Sequence, residues 1–151
     1  MTKKQEKELL IRKLADNESL ISELYDLYGQ QFENKLFWIN LSTEEKLHFE
    51  WIKSFDKYSK LFEITIDDFR LTIPKVDECI SIVKRMIFNA KETSIHQAFK
   101  NALLIEANLA EENYFSIFKS TRSSIMNILK QLESDTHRHI NLIKAESKRS
   151  K

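Results

Sequence analysis

Glycine and proline are almost absent from this sequence: its 151 residues include one of each, Gly29 and Pro74. Tight turns and irregular loops draw heavily on these two residue types, and a fold built of sheets needs many such turns. Long helices joined by a few connections do not need them. The shortage therefore predicts an all-α protein, and specifically a helix bundle, before any periodicity is considered.

Cysteine, long apolar runs and an excess of charge of one sign are missing as well. Cys79 is the only cysteine, which excludes an internal disulfide framework and the paired cysteines of a zinc ribbon or a rubredoxin-type iron site. With 24 basic and 23 acidic residues interspersed, the sequence lacks the basic patch that nucleic-acid binding requires. It also lacks an apolar run of membrane-spanning length and the apolar segment of a secretory signal. We therefore expect a cytoplasmic protein with neither a nucleic-acid nor a membrane partner.

What the sequence does contain is a set of long amphipathic segments. Hydrophobic residues make up 42% and charged residues 31%, a balance typical of one globular domain over residues 1–151. Apolar residues recur at spacings of three and four, the period of a helix with one buried face. The predicted long helices are 5–28, 32–61, 94–118 and 123–146, and a shorter helix, 75–90, lies inside a connection at 62–93.

Particular residues set the predicted helix ends. Gly29 is predicted to end the first helix, because helices favour a residue that tolerates positive φ just past their last turn. Pro74 suits the first turn of the short helix, and Ser94 suits the N-cap of the third long helix. Residues 42–45 match a capping box that would start a helix at residue 43. The apolar stripe nevertheless passes through Ser42 without a change of phase, so one continuous second helix is predicted.

Ionisable side chains interrupt the apolar stripe of every long helix, near its middle. A carboxylate left charged in an apolar interior costs several kcal/mol unless it is paired or bound to a cation. Four such costs at unrelated heights would destabilise the fold, whereas the same groups at one height would form a cation site. The interrupting residues are Glu18 in the first helix, Glu45 and His48 in the second, Glu106 in the third, and Asp135 or Thr136 with His139 in the fourth.

The heights of these residues agree along both predicted hairpins. In an antiparallel hairpin, two residues are level when they lie equally far from the turn. Glu18 and Glu45 are centred between residues 31 and 32, beside the first predicted turn. Glu106 and Thr136 are centred on residue 121, inside the predicted turn at 119–122. The four helices are therefore predicted to bring their polar residues to one level of the bundle.

The donor types indicate which metal such a site would hold. Glu45 and His48 are three residues apart, so both side chains lie on one helix face. This spacing matches di-iron bundles, in which two helices each supply a glutamate and two others each supply a Glu-x-x-His pair. Oxygen and imidazole donors suit iron or manganese better than tetrahedral zinc. The sequence therefore predicts a buried site for iron, with manganese as the alternative.

Four stretches of the sequence resemble the rubrerythrin-like branch of the ferritin-like superfamily, one on each long helix and together spanning most of the chain. They are Glu18 with Tyr25; residues 36–48, which end in Glu45-x-x-His48; Ala98 and Ala102 before Glu106; and Leu132 with His139-Ile140. The resemblance implies a ferritin-like four-helix bundle, in which two antiparallel hairpins are joined by a long crossover. It also implies non-haem iron between the helices, oxygen or peroxide chemistry or iron handling, and a homodimer.

The fourth helix departs from the family pattern. Thr136 stands three residues before His139, where the family has a glutamate that usually bridges two metals. Asp135 is adjacent to that position but one residue out of register. We therefore expect a mononuclear or asymmetric site rather than a symmetric pair. The rubredoxin-like tail of true rubrerythrins is missing too, as a single cysteine requires.

Two hypotheses for the function remain. In the first, the chain is a non-haem iron protein, mono- or dinuclear, and an oxidoreductase that reacts with peroxide or oxygen. Its predicted metal ligands are Glu18, Glu45, His48, Glu106 and His139, with Asp135 as an additional candidate. In the second, the chain is a non-catalytic helical bundle that dimerises or binds a partner, and its carboxylates pair with His48 and His139 in a vestigial metal site. Tyr25 and Tyr28 are either donors to the ligand carboxylates or packing residues of the core.

Overall fold

The computed structural model describes residues 1–61, 64–66, 72–111 and 118–150, and most of these are helical. The helices are α1 Lys3–Gln31, α2 Lys35–Leu61, α3 Ile73–Phe88, α4 Ile95–Glu111 and α5 Ser123–Arg149. A single 3-10 turn, Ala90–Glu92, lies between α3 and α4. Two three-residue strands, β1 Ile64–Ile66 and β2 Phe118–Ser120, pair antiparallel. The predicted all-α class is confirmed apart from this strand pair. Residues 62, 63 and 67–71 of the predicted crossover lie outside the described residues, as do residues 112–117 of the predicted third long helix.

Side chains cap the helices where the sequence provides hydroxyl groups. At the start of α1, the backbone N–H of Gln5 donates to the Thr2 hydroxyl at 3.2 Å, and the backbone N–H of Thr2 donates to the Gln5 side chain at 2.9 Å. This reciprocal pair is a capping box. The predicted N-cap of α4 is confirmed, because the Ser94 hydroxyl accepts from the backbone N–H of Gln97 at 3.1 Å. Pro74 lies in the first turn of α3, also as predicted.

Gly29 does not end the first helix, and that prediction is wrong. α1 continues through Gly29 to Gln31. The glycine faces α2, and a Cβ atom added there would lie 2.9 Å from Cδ1 of Ile39 and 3.4 Å from Cβ of Trp38. The small residue therefore serves the packing of two helices rather than the termination of one.

A pair of buried serines lies between α1 and α2. The hydroxyl oxygens of Ser22 and Ser42 are 3.0 Å apart, and each also lies 3.0 Å from the carbonyl oxygen of the other residue. α2 passes through Ser42 without interruption, which confirms one continuous second helix. Together with the contact of Gly29 and Trp38, the serine pair shows that α1 and α2 run antiparallel.

Side-chain contacts give the directions of the other helices. α1 packs along α2 and α3, and α4 packs along α5. α1 is antiparallel to α4, and α2 is antiparallel to α5, so α2 and α4 point the same way. The contacts that show this are Tyr25–Glu106 and Tyr28–Asn101 between α1 and α4, His48–Asp135 between α2 and α5, and Asn34–Glu146 between the residue before α2 and the last turns of α5.

An aromatic cluster centred on Trp38 belongs to the buried core. The Trp38 ring stacks on Phe99 at a centroid distance of 5.3 Å and meets the edge of Tyr28 at 5.0 Å. All three side chains are essentially buried, and each such burial contributes roughly 1.5–3 kcal/mol. The cluster therefore holds α1, α2 and α4 together. Within the described part of the chain, no helix combines the length and the apolar character needed to cross a lipid bilayer.

The prediction that the third long helix extends to Phe118 is wrong. The described part of α4 runs to Glu111, and Phe118 begins β2, in which it pairs with Ile66. The Phe118 ring is buried and lies 6.4 Å from the ring of Phe55 on α2. β1 has the sequence Ile-Thr-Ile, and β-branched residues favour extended backbone. Part of the predicted turn at 119–122 is therefore strand.

Candidate metal centre

The predicted ligands converge inside the bundle, in two overlapping groups. Glu18, Glu45 and His48 form one group, and Glu45, Glu106 and His139 form the other. Within each group, one donor atom from every residue lies within 4.8 Å of the others. All five side chains are at most 2% exposed, and Glu45 belongs to both groups. The level predicted from the two hairpins is therefore the level at which these residues meet.

Four helices supply this centre, and each supplies its side chain from the buried face. α1 provides Glu18, α2 provides Glu45 and His48, α4 provides Glu106, and α5 provides His139. On α2, the two donors are one turn apart, and Nδ1 of His48 lies 3.3 Å from Oε2 of Glu45. On α4, the fully buried Ala98 and Ala102 precede Glu106 at spacings of four, which leaves room beside it for the side chains of neighbouring helices.

A network of hydrogen bonds and ion-pair contacts around His139 joins all four of these helices. Nδ1 of His139 lies 3.0 Å from Oε1 of Glu45 and 3.3 Å from Oε1 of Glu106. The Tyr25 hydroxyl donates to the same Glu106 oxygen at 3.0 Å. Tyr28 is different, because its hydroxyl accepts from the Asn101 side chain at 2.9 Å and its ring packs on Trp38. Of the two tyrosines, Tyr25 therefore contacts a predicted ligand and Tyr28 belongs to the aromatic cluster.

Three carboxylate oxygens of the centre are buried without a hydrogen-bond partner among the described residues. They are Oε2 of Glu18, Oε1 of Glu45 and Oε2 of Glu106. The Glu45 oxygen lies 3.0 Å from Nδ1 of His139, as an ion-pair contact. A buried polar atom left without a partner costs about 1–3 kcal/mol. Glu18 belongs to the first group, Glu106 to the second and Glu45 to both, so a cation in each group would satisfy all three oxygens. The donor set, with three carboxylates and two imidazoles and no sulfur, fits iron or manganese.

Burial and mutual repulsion shift the pKa values of the carboxylates apart. Burial raises the pKa of Glu18 well above its usual range, and the nearby charges of Glu45 and Glu106 raise it further. Burial and the charge of Glu45 raise the pKa of Glu106 to about 7, against the opposing bonds from His139 and Tyr25. Burial alone would raise the pKa of Glu45 too, but hydrogen bonds from Glu18, His139 and His48 hold it well below its usual range. Glu45 is therefore the carboxylate that keeps its charge.

The pKa values of both histidines are raised as well, although burial acts on an imidazole in the opposite sense from a carboxylate. Burial alone would lower the pKa of His139, but hydrogen bonds to Glu106 and Glu45 and their negative charges raise it to about 11. The pKa of His48 is also raised: burial opposes this, but the hydrogen bond and charge of Glu45 outweigh it. Without a cation, the negative charge of Glu45 is thus balanced by protons on its neighbours. Those protons occupy the place that a metal cation would take.

Asp135 lies outside both groups of donor atoms. Its Oδ2 contacts Nε2 of His48 at 2.8 Å, on the side of the imidazole that faces away from Glu45. Its Oδ1 accepts from Gln131 at 2.7 Å and from Arg138 at 3.0 Å. A carboxylate on the outer nitrogen of a ligand histidine orients the ring and fixes which nitrogen faces the metal. The structure therefore places Asp135 behind a predicted ligand rather than beside the other donors.

Thr136 is buried but contributes no charge to the centre. Its hydroxyl donates to the carbonyl oxygen of Leu132 on the same helix at 3.0 Å. The α5 side of the centre therefore supplies His139 without the carboxylate expected from the family pattern. As a result, Glu45 is the one protein carboxylate that the two groups share.

Sequence reasoning missed Glu44, which lies on the other side of the centre. Its Oε2 is 3.5 Å from Nε2 of His139, and its side chain pairs with the guanidinium of Arg138. A signal for it exists in the sequence. Glu44 precedes His48 by four residues, just as Asp135 precedes His139 by four. In each case the acidic residue contacts the histidine of the opposite helix.

Comparisons of the chain with models of known protein families, with curated proteins and with solved structures find no match. The resemblance to rubrerythrin-like proteins therefore remains a prediction from sequence motifs. What the structure adds is a set of buried Glu and His residues, in two groups, that can bind a metal ion.

Proposed function

We propose that this chain is a non-haem iron-binding protein of the rubrerythrin-like type, with one centre for a pair of divalent cations. Glu18, Glu45 and His48 would hold the first cation, and Glu45, Glu106 and His139 the second. One observation carries the proposal. Two groups of buried oxygen and nitrogen donors share Glu45, and each group contains an oxygen that lacks a donor.

The arrangement favours iron and a reactive rather than a purely structural site. Three protein residues per cation are fewer than the number of ligands that iron or manganese accepts, so positions stay open for a small molecule. Bound iron would supply redox chemistry toward oxygen or peroxide. An oxidoreductase that acts on such a molecule is the activity we infer, with manganese as the alternative metal.

The surrounding residues would prepare the ligands for this role. Tyr25 donates to one oxygen of Glu106 and so leaves the other oxygen for a cation. Asp135 holds the outer nitrogen of His48, which directs Nδ1 of that ring toward Glu45. The side chains of the centre are buried, and a surrounding of low dielectric constant strengthens the charge interactions among them.

The helix directions support a ferritin-like arrangement. α1 and α2 form one antiparallel hairpin, and α4 and α5 are antiparallel as well. Because α2 and α4 point the same way, the chain between them has to return along the bundle. The connection at 62–93, with α3 packed on α1, is long enough to do so. The homodimer and the cytoplasmic location expected from the sequence stay predictions.

Metal analysis of protein purified without chelator tests the proposal. We expect about two irons per chain, and loss of that iron in a variant with Glu45→Ala and His48→Ala. The matched control is Glu50→Ala with His137→Ala, which changes exposed residues of the same two types on α2 and α5. This control variant should keep its iron.

The second hypothesis, a non-catalytic helical bundle, makes the opposite prediction. It is favoured by the way Glu45, Glu106 and His139 already pair with one another. If the purified protein holds no metal and its melting temperature ignores added Fe(II) and Mn(II), the second hypothesis is correct. A ligand that binds only the folded state must raise its stability.

A further inference from the structure

The outer ring nitrogen, Nε2, of each ligand histidine lies near an acidic residue of the other helix. Nε2 of His48 on α2 contacts Asp135 on α5 at 2.8 Å. Nε2 of His139 on α5 lies 3.5 Å from Oε2 of Glu44 on α2. The acidic residue precedes the histidine of its own helix by four residues in both cases. The orientation of the His48 imidazole therefore depends on Asp135 of the other helix. His139 has Glu44 nearby, but its Nε2 has no hydrogen-bond partner among the described residues.

One guanidinium joins these two carboxylates. Nη2 of Arg138 donates to Oδ1 of Asp135 at 3.0 Å and also contacts Oε1 of Glu44, while Nη1 donates to Oε2 of Glu44 at 3.3 Å. The contact with Glu44 is bidentate, a geometry that fixes direction as well as distance. The Arg138 side chain is 45% exposed, so it is held in this place by the carboxylates rather than by burial.

We propose that Arg138 is a positioning residue of the metal centre, which holds Glu44 and Asp135 across α2 and α5. It thereby sets the orientation of the His48 imidazole and the charge that lies beside the His139 imidazole. The proposal rests on the proposed function, because it assigns Arg138 a role in cation binding. Arg149, near the end of α5, has a different environment. It pairs with Glu146 of its own helix at 3.5 Å and is 82% exposed.

Co(II) titration of the full chain tests the role in binding. Loss of a residue that orients metal ligands typically lowers metal affinity by about 10–100-fold. We expect a loss of at least about tenfold for Arg138→Gln and an intermediate loss for Arg138→Lys, because an ammonium cannot contact two carboxylates in a fixed fork. Arg149→Gln is the matched control and should bind Co(II) as the parent protein does. Co(II) affinity of Arg138→Gln within about twofold of the parent would overturn the proposal.

The pH profile of Co(II) binding separates positioning from a general structural effect. Without the guanidinium, the negative charges of Glu44 and Asp135 act on the imidazoles uncompensated and favour their protonated forms. The midpoint of Co(II) binding should therefore move to higher pH in Arg138→Gln and stay in place in Arg149→Gln. A midpoint that stays in place in both variants contradicts the positioning role.

Nuclear magnetic resonance of the metal-free protein keeps the proposal testable if the parent binds no Co(II). In that case the proposed function fails, and the imidazole nitrogen resonances decide about Arg138. Arg138→Gln should shift the resonances of His48 and His139 and leave the exposed His96 unchanged as an internal reference. If the resonances of His48 and His139 also stay unchanged, Arg138 does not position the imidazoles.

Discussion

Cation binding to this centre should release protons, because protons occupy it when no cation is bound. His139, with its pKa raised to about 11, carries one proton at pH 7. Glu106, with its pKa raised to about 7, carries about half of one. Burial raises the pKa of Glu18 in the same direction, which adds to the count. A cation bound by these side chains replaces the protons that they held.

We expect binding of Mn(II) or Co(II) at pH 7 to release at least about 1.5 protons per chain, the combined occupancy of His139 and Glu106. Each released proton makes the apparent affinity rise about tenfold per pH unit. Calorimetric titration in two buffers with different ionisation enthalpies measures the number of protons directly. The same titrations at pH 6 and pH 8 measure the slope.

Glu106→Gln is the perturbation that isolates one of these protons. The amide keeps the size and burial of the side chain but has no proton to lose, so the release at pH 7 should fall by about half a proton. Glu50→Gln, on an exposed position of α2, should leave the release unchanged. Tight cation binding without any proton release by the parent would refute the reasoning, because the cation would then bind elsewhere.

Four further predictions follow from the structure. The raised pKa of His139 stabilises the metal-free fold. This contribution is complete below about pH 6.5 and is lost as the pH rises through about 11. Urea denaturation at several pH values, with a chelator present, measures the loss. Thr136→Glu adds a carboxylate to the centre, so it should raise Mn(II) affinity and lower the melting temperature of the metal-free protein, because the added charge is buried. Tyr25→Phe should destabilise the metal-free protein by about 1 kcal/mol and weaken Mn(II) binding, whereas Tyr28→Phe should leave Mn(II) binding unchanged in the same titration. Gly29→Val should lower the free energy of unfolding by about 1–3 kcal/mol in urea, since its side chain would overpack the contact with α2.

Residues that lie on one helix face could be predicted from the sequence. Helical periodicity shows which side chains face the interior, and distance from the turn shows their height. These two rules were enough to bring Glu18, Glu45 and Glu106 together. They worked because each helix is long and regular, so that an error of one or two residues at its end changes the height by only about 3 Å.

Other features depend on contacts that no local pattern contains. The pairing of Ile66 with Phe118 joins segments far apart in the sequence, and each strand has only three residues. Periodicity placed Asp135 on the inner face of α5 but could not tell which nitrogen of His48 it would contact. The continuation of α1 through Gly29 depends on the close approach of α2, which overrides the local preference of a glycine for a helix end.

The serine pair between α1 and α2 makes one half of the centre more rigid than the other. Ser22 and Ser42 are each one helical turn from a predicted ligand, Glu18 on α1 and Glu45 on α2. Their reciprocal contacts fix the separation of these two carboxylates whether or not a cation is present. The other half relies on side chains from α4 and α5, which have no such pair beside them in the described residues. We therefore expect the two positions to fill in order, with the preformed α1–α2 position first and the more adaptable one second.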